Sequence, residues 1–401
     1  MAIIPAGAEL GTYNDFLEHA KENNPGVQAA YNRWQAELSK ADVVKALPDP
    51  RLTYSYFIES VETRIGPQEQ KAGISQQFPW FGKLDARQKA QLARADSAYE
   101  QYRSTLLKLA YDVRRAYAEC WLLHRETELA KQHIQLLENI ERVAESRVRA
   151  GASASEVIKT QLERARLEER LQTLDEKRVP INSKLNAALN RDAKFPIPPI
   201  HNLESRSIDA GALRSLETNP GLLALRHEQA GAEADIRAAR KNGLPDITLG
   251  IEWIGIGDAS TPVNDSGKDA WMAGIGVSLP LWRGKYKADA GRATYTREAF
   301  DFARQQKANE LRAELESALA DYREAIRKIA LYRDTILPQT GKLLELNETD
   351  YRSGKAGYLD LIDTQRSILR YQLELARAQA DSQIHLAKIE MLIGKELNHE
   401  E

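Results

Sequence analysis

The sequence predicts a mainly α-helical chain with a small β part, in which one order of elements occurs twice. Residues 76–83 read QQFPWFGK, follow an alternating strand-like pattern and precede a long charged helix. Residues 278–285 read SLPLWRGK and repeat this strand-to-helix corner in the second half of the chain. A repeated corner indicates an internal duplication, and the other elements can be assigned around it.

Composition excludes several classes of protein. A length of 401 residues suits two ordinary domains or one elongated domain, and a net charge of −2 argues against a polybasic nucleic-acid-binding protein. The single cysteine, Cys120, excludes an internal disulfide and a cysteine-based metal cluster. No stretch approaches the roughly 18 apolar residues that indicate a transmembrane helix. Residues 1–5 lack the basic and apolar regions of a secretory signal, so we expect this sequence to carry none.

The first half begins with a predicted helix over residues 13–46. The prolines of residues 47–50 end it, because proline cannot continue a helix. Alternating aromatic and aliphatic side chains then predict a strand over residues 51–59. A polar loop is predicted over residues 60–70, and a second strand follows it as far as Phe78.

A long helical hairpin follows the first corner. Residues 83–150 lack proline and repeat apolar side chains in heptad steps, which predicts a helix of roughly 100 Å that packs along other helices. Gly151 ends this helix, and a returning helix is predicted over residues 154–190. Residues 191–206 contain three prolines and are predicted to form a stiff linker.

The second half repeats the order of helix, strand pair and helical hairpin. Pro338 is the main departure, and we expect it to bend the second long helix. The first predicted repeat covers residues 13–206, with a strand pair at about 51–80 and a helical hairpin at about 83–190. The second covers residues 207–396, with a strand pair at about 246–281 and a helical hairpin at about 285–396.

The four predicted strands require a partner. Each has about nine residues, the length that crosses a bilayer at a tilt. Strands in a membrane must close into a barrel, which four strands cannot do alone, whereas a dimer would supply eight and a trimer twelve with a lumen. Trp80, Trp253, Trp271 and Trp282 lie at strand ends or corners, where an interfacial aromatic girdle would lie. A soluble coiled-coil structural or adaptor protein with a small β cap is the alternative interpretation.

This order of elements resembles that of the TolC family, the outer membrane factors of tripartite efflux systems, over residues 13–396. The markers are the corner at residues 76–83, LPDP at residues 47–50, YRSG at residues 351–354 and DLID at residues 360–363. The PWFGK form of the first corner is similar to the heavy-metal efflux branch of the family, the CzcC/CusC-like proteins.

The resemblance implies a homotrimer with a twelve-stranded β-barrel in the outer membrane and a helical α-barrel that extends into the periplasm. It implies a passive exit duct that has no cofactor. It also implies docking to a periplasmic adaptor, called a membrane fusion protein, and to an inner-membrane pump of the RND type. The narrower resemblance adds heavy-metal cations as the cargo.

Asp360 and Asp363 are candidates for a constriction at the periplasmic entrance. They stand three residues apart just after the second helix break, so they share a helix face. In a three-fold tube this face would form a ring of carboxylates that selects cations, and Glu156 has the matching place in the first repeat. The alternative is a solvated acidic helix start, which the helix dipole favours.

The two helix breaks are candidate turns at the tips of the hairpins, with Gly151 in the first and Gly354 in the second. The resemblance implies that the adaptor docks at these tips. Arg149, Tyr351 and Arg352 are candidates for a latch that closes them. The alternative for the arginines is simple solvation at the surface.

The two corners are candidate boundaries between barrel and helices. Each contains a proline to end the strand, a tryptophan to anchor it at the membrane surface, a glycine to allow the turn and a lysine to begin the helix in water. In that order, the residues are Pro79, Trp80, Gly82 and Lys83 in the first corner, and Pro280, Trp282, Gly284 and Lys285 in the second.

We expect neither a metal site nor a catalytic centre. The seven histidines show no pair at metal-ligand spacing, and His124 and His133 do not share a helix face. The sequence contains no glycine-rich phosphate loop, nucleophile elbow or HExxH motif, so the chain is predicted not to be an enzyme.

Overall fold

The computed structural model describes residues 11–203, 215–353 and 357–395, which form helices and four strands. The helices are α1 Tyr13–Asn23, α2 Pro25–Lys45, α3 Lys83–Arg149, α4 Ser155–Ala188, α5 Pro220–Asn242, α6 Arg283–Leu331, α7 Leu337–Arg352 and α8 Tyr358–Ile393. The strands are β1 Arg51–Thr63, β2 Gly66–Phe78, β3 Ile247–Ile256 and β4 Ala270–Val277. None of the described helices is both long enough and apolar enough to cross a membrane.

The chain forms two compact units, and each takes residues from both halves of the sequence. The helical unit comprises Met1–Ala30, Gln101–Leu222 and Lys307–Glu401. The sheet unit comprises Tyr31–Glu100 and Leu223–Gln306. The predicted repeats of residues 13–206 and 207–396 concern the order of elements along the chain, and they stay a prediction.

The core of the helical unit lies along the predicted heptad positions of the long helices. The buried heptad residues of α3 are Leu109, Val113, Ala116, Cys120, Leu123, Ala130 and Leu137. Phe16 of α1 and Leu185 of α4 belong to the same buried cluster as Val113. Leu315 of α6 and Ile389 of α8 belong to a second cluster. Burying each Leu, Val, Ile or Phe side chain of these clusters contributes roughly 1.5–3 kcal/mol, so heptad packing stabilises the helical unit.

Pro338 is accommodated by a change of helix type. A π-helical segment, Tyr332–Ile336, separates α6 from α7 directly before the proline. Proline lacks a backbone N–H, and its ring presses on the carbonyl four residues earlier. A π-turn inserts one extra residue and relieves this conflict, so the expected disturbance of the second long helix takes this form.

The sheet unit contains one antiparallel sheet with strand order β1-β2-β3-β4. The predicted polar loop over residues 60–70 is wrong, because β1 continues to Thr63 and β2 begins at Gly66. Thr63 pairs with Gly66 and Val61 with Gln68, after a register shift that follows Tyr56. Cross-strand hydrogen bonds therefore extend the ladder through a segment whose polar composition indicated a loop.

The two faces of the sheet differ in chemistry. Paired residues point to the same side, and the register Leu52–Ile74–Ile251–Ala273 makes one apolar row across all four strands. The same face also carries Tyr54, Tyr56, Ala72, Phe78, Ile247, Leu249, Trp253, Trp271, Ile275 and Val277, with Gln70 and Gln76 as its polar members. The opposite face carries polar side chains, and Lys71 there forms an ion pair of 2.8 Å with Glu252 of the next strand.

Candidate functional site

Four helix ends of the helical unit meet in a group that we call the tip cluster: Arg147, Glu156, Thr160, Tyr351 and Tyr358. The Tyr351 hydroxyl at the end of α7 donates a hydrogen bond of 2.7 Å to Glu156 Oε2 at the start of α4. Arg147 Nη1 at the end of α3 donates to the Tyr351 carbonyl oxygen at 2.9 Å. The Arg147 guanidinium also lies 4.3 Å from the centre of the Tyr351 ring.

Tyr358 adds a second layer to the tip cluster. Its hydroxyl lies 2.7 Å from Thr160 Oγ1, and both side chains are buried. Thr160 Oγ1 also lies 2.8 Å from the Glu156 carbonyl oxygen, so Thr160 donates there and accepts from Tyr358. Burial raises the pKa of Tyr351, and the adjacent Glu156 carboxylate raises it further. Burial also raises the pKa of Tyr358. Both phenols therefore stay neutral hydrogen-bond donors.

Arg366 of α8 links the predicted acidic face to α4. Its guanidinium donates to Glu163 Oε2 at 3.0 Å and to Asp363 Oδ1 at 3.1 Å. The hydrogen bond from Arg366 lowers the pKa of Glu163, although partial burial opposes this change. The exposed Asp363 carboxylate shares the Arg366 guanidinium with Glu163. The exposed Asp360 carboxylate has no ion-pair partner within the described ranges.

The structure brings together some of the predicted tip residues. Tyr351 and Glu156 are directly bonded, while Arg149 and Arg352 are exposed and form no hydrogen bond with a described residue. Gly151 has a φ of +97° and open space around it, which suits the predicted glycine turn. Gly354 lies outside the described residues. Arg147, which the sequence did not single out, contacts Tyr351 within one chain, and the latch that closes the tips stays a prediction.

The first corner has an ion pair between a buried lysine and a half-buried aspartate. Pro79 and Trp80 follow the end of β2, and Gly82 has a φ of +75° just before α3. Lys83 is only 3% exposed, and its Nζ donates at 2.7 Å to both the Leu244 carbonyl oxygen and Asp246 Oδ1. The expectation that Lys83 begins the helix in water is therefore wrong, because β2–β3 pairing places it beside Asp246.

The second corner differs from the first. Pro280 and Trp282 lie between β4 and α6, and Trp282 is 77% exposed. Gly284 lies in the first turn of α6 and does not have a positive φ. It therefore does not provide the left-handed turn that Gly82 provides. Lys285 is exposed, as the sequence predicts.

Replacing Tyr351 by phenylalanine is expected to loosen the tip cluster. The substitution keeps the ring but removes the donor to Glu156, which costs roughly 1.5 kcal/mol for a hydrogen bond to a charged group. Amide hydrogen exchange in residues 147–156 should accelerate by about tenfold. Tyr371→Phe is the control, because the Tyr371 hydroxyl contacts the exposed Arg370. Equal exchange rates in the two variants would contradict the latch.

The family model described as outer membrane efflux protein matches residues 16–191 and 213–395. Nodulation protein T of Rhizobium leguminosarum bv. trifolii is 23% identical over 411 residues, covering 96% of this chain and 85% of that protein. The pyoverdine export outer membrane protein OpmQ of Pseudomonas aeruginosa is 25% identical over 346 residues, covering 79% of this chain and 69% of that protein.

A solved structure shares the fold. The outer membrane protein VceC from Vibrio cholerae superposes with a TM-score of 0.78 at 20% identity, covering 96% of each chain. The predicted TolC-like fold, mainly helical with four strands, is confirmed, while the heavy-metal branch stays a prediction. Because the family model spans both halves of the sequence, the chain belongs to the outer membrane efflux protein family.

Proposed function

We propose that three copies of this chain form a passive exit duct in the outer membrane that extends into the periplasm. The main support for this proposal is the chemistry of the four-stranded sheet. One face has contiguous exposed apolar side chains, including Leu52 at 77% exposure, and the other face is mainly polar. Apolar-out and polar-in alternation is the pattern of a transmembrane barrel, and a soluble protein rarely exposes so large an apolar patch. The soluble coiled-coil alternative is therefore disfavoured.

The sheet edges support closure by neighbouring chains. Within the described residues, β1 and β4 each pair with one strand only, and such edges are costly in lipid. Pairing β4 of one chain with β1 of the next would close three sheets into a twelve-stranded barrel with a lumen. Four strands cannot close into a barrel alone, but this pairing between three copies would leave no strand edge exposed to lipid.

The chain also contains residues equivalent to the Lys83–Asp246 pair, but these two described residues do not form an ion pair with each other within one chain. In the repeated sequence order, Lys285 corresponds to Lys83, and Asp49 corresponds to Asp246. Both counterparts are exposed, and neither forms an ion pair with a described residue. Closing the barrel would bring Lys285 of one copy to Asp49 of the next. A lysine–aspartate ion pair would then form at every boundary between β4 of one copy and β1 of the next.

The helices and the tips support the remaining parts of the assembly. Leu331, Leu343 and Leu346 are exposed on α6 and α7, which suits side-by-side packing of three copies into an α-barrel. Exposed Ile158 and Leu359 near the helix breaks suit docking of the periplasmic adaptor. An inner-membrane pump, of the RND type, would supply the energy. The PWFGK corner supports heavy-metal cations as cargo, whereas OpmQ is named for pyoverdine export.

A pair of cysteines tests the joint between copies. The β2–β3 pairing of Ile74 with Ile251, carried over to the second repeat, would place Ile275 beside Tyr54 of the next copy. Tyr54→Cys combined with Ile275→Cys should therefore yield disulfide-linked dimers and trimers in detergent extracts. Purified wild type should also conduct ions in planar bilayers.

The control shifts one cysteine to the other face of β1. Ser55→Cys with Ile275→Cys should form no link, because neighbouring residues on a strand point to opposite faces. If the protein is a monomer that is soluble without detergent and does not conduct ions, the proposal of a duct is wrong. Conducting trimers without the link would overturn only the proposed β4–β1 joint.

A further inference from the structure

Two histidines and a glutamate converge on the surface of the helical unit. His124 and Glu128 lie one turn apart on α3, and His201 lies in the segment that follows α4. His124 Nε2 is 3.2 Å from His201 Nδ1 and 3.3 Å from Glu128 Oε1. All three ligand atoms lie within 4.8 Å of one another. We infer that His124, Glu128 and His201 bind a divalent transition-metal ion, for which Zn²⁺ is the best match.

The distances suit a tetrahedral ion. Zinc bonds to nitrogen and oxygen ligands of about 2.0–2.1 Å correspond to ligand–ligand separations of roughly 3.3 Å. Two of the three separations already have this value, and the third, which is within 4.8 Å, needs a contraction of at most about 1.5 Å, within reach of the Glu128 side chain. Two imidazoles with one carboxylate form a ligand set used by zinc, and water would complete the coordination.

Neighbouring groups hold the ligands in place. The Trp121 indole N–H donates to the His201 carbonyl oxygen at 3.2 Å, and the adjacent Ile200 is buried in the core. Arg125 Nη1 donates to Glu128 Oε2 at 3.2 Å, which leaves Oε1 directed at His124. These contacts fix the backbone of His201 and the orientation of the Glu128 carboxylate, as the surroundings of a metal site fix its ligands.

The environment allows access. His201 is exposed, and a groove of about 290 Å³ lined by His124 and Glu128 opens beside it. Lys131 and Arg178 also line the groove and oppose a cation, but Arg178 is paired with Asp175 at 2.6 Å. In a neutral histidine pair one ring donates to the other, and metal binding would move that proton to a remote ring nitrogen.

The inferred site lies apart from the tip cluster and goes beyond the proposed duct. It would fasten the segment after α4, which leads out of the first half of the sequence, to the middle of α3. The ion would act as a structural clip and would be distinct from the cargo of the duct. Its ligands are separated by 77 residues in sequence, so a helical spacing search could not find them.

Zinc titration of the purified, tag-free, detergent-solubilised protein tests the site. After removal of metal with a chelator, Zn²⁺ is titrated against a competing fluorescent chelator. One ion per chain is expected, and His124→Ala, His201→Gln and Glu128→Gln should each weaken binding by at least about tenfold. Co²⁺ in the same site should give the visible absorption of tetrahedral coordination, which the variants should lose.

His227→Ala is the matched control, because His227 is a partly exposed histidine of the sheet unit, 3.8 Å from Asp96. It should leave the stoichiometry and the affinity unchanged. His201→Gln keeps a polar side chain at an exposed position, so the fold should be retained. Less than one zinc per chain at saturation, or equal affinity in wild type and His201→Gln, would overturn the site. Equal weakening by His227→Ala would also overturn it.

Discussion

Asp246→Ala is expected to destabilise the sheet unit by about 3–5 kcal/mol, because it leaves the buried Lys83 ammonium without its counter-ion. Asp246 Oδ1 accepts hydrogen bonds from Lys83 Nζ at 2.7 Å and from the Trp80 backbone N–H at 2.9 Å. The substitution removes both contacts at the first corner. Thermal unfolding in detergent should show a melting temperature lower by roughly 10 °C. Asp246→Asn, which can still accept from Trp80, should have a smaller effect.

The same pair predicts a pH dependence. Burial raises the pKa of Asp246, but the hydrogen bonds from Lys83 and Trp80 outweigh it, so the pKa lies below its ordinary value. This carboxylate therefore stabilises the fold fully above pH of about 4 and progressively less as the pH falls through its lowered pKa. The difference in melting temperature between wild type and Asp246→Asn should stay constant from neutral pH down to about 5 and narrow below 4.

Lys268→Ala provides the control for this corner. Lys268 belongs to the same unit, and its ion pair with Asp265 is exposed on both sides. Its loss should leave the melting temperature unchanged, because an exposed ion pair contributes little. If Asp246→Ala unfolds at the same temperature as Lys268→Ala, the buried pair does not stabilise the corner.

The sequence predicted most of the fold because its signals are local and repeated. Heptad spacing set the long helices to within a few residues, and alternation located all four strands. Long-range pairing explains the errors. The strand ladder of β1 and β2 continues through residues 60–70, whose composition is polar. Lys83 is buried because pairing of Phe78 with Ile247 brings Asp246 to the corner, and no local pattern around Lys83 carries that information.

The candidate site shows the same division. The sequence predicts the turn at Gly151 because a glycine between two helical patterns is a local signal. The sequence marks Tyr351 and Glu156 as separate candidates, but their hydrogen bond joins residues 195 positions apart. Arg147 has no sequence signal that distinguishes it from other arginines near a helix end. His201 belongs to a proline-rich linker, so only the fold brings it to His124 on α3.

The acidic face of α8 is expected to control the ion selectivity of the duct. Asp360 and Asp363 are exposed three residues apart near its start, and in a trimer they would supply six carboxylates at the periplasmic entrance. Such a ring concentrates cations and repels anions. Arg366 offsets part of this charge through Asp363 but is also held by Glu163, so removing Asp363 should not release the start of α8.

Asp360→Ala combined with Asp363→Ala is therefore expected to lower cation selectivity several-fold in planar bilayers. It should also raise single-channel conductance, because the shorter side chains widen the constriction. The Asp360→Asn and Asp363→Asn pair keeps the side-chain size, so it should lower selectivity with a smaller rise in conductance. Asp175→Ala is the matched control, because Asp175 and Asp363 have the same side-chain exposure of 70% and each pairs with one arginine of its own helix. A ring of fixed charges cannot be removed without changing the ion current through it. If both double variants match the control in conductance and selectivity, these carboxylates therefore belong to a solvated helix start and do not line the constriction.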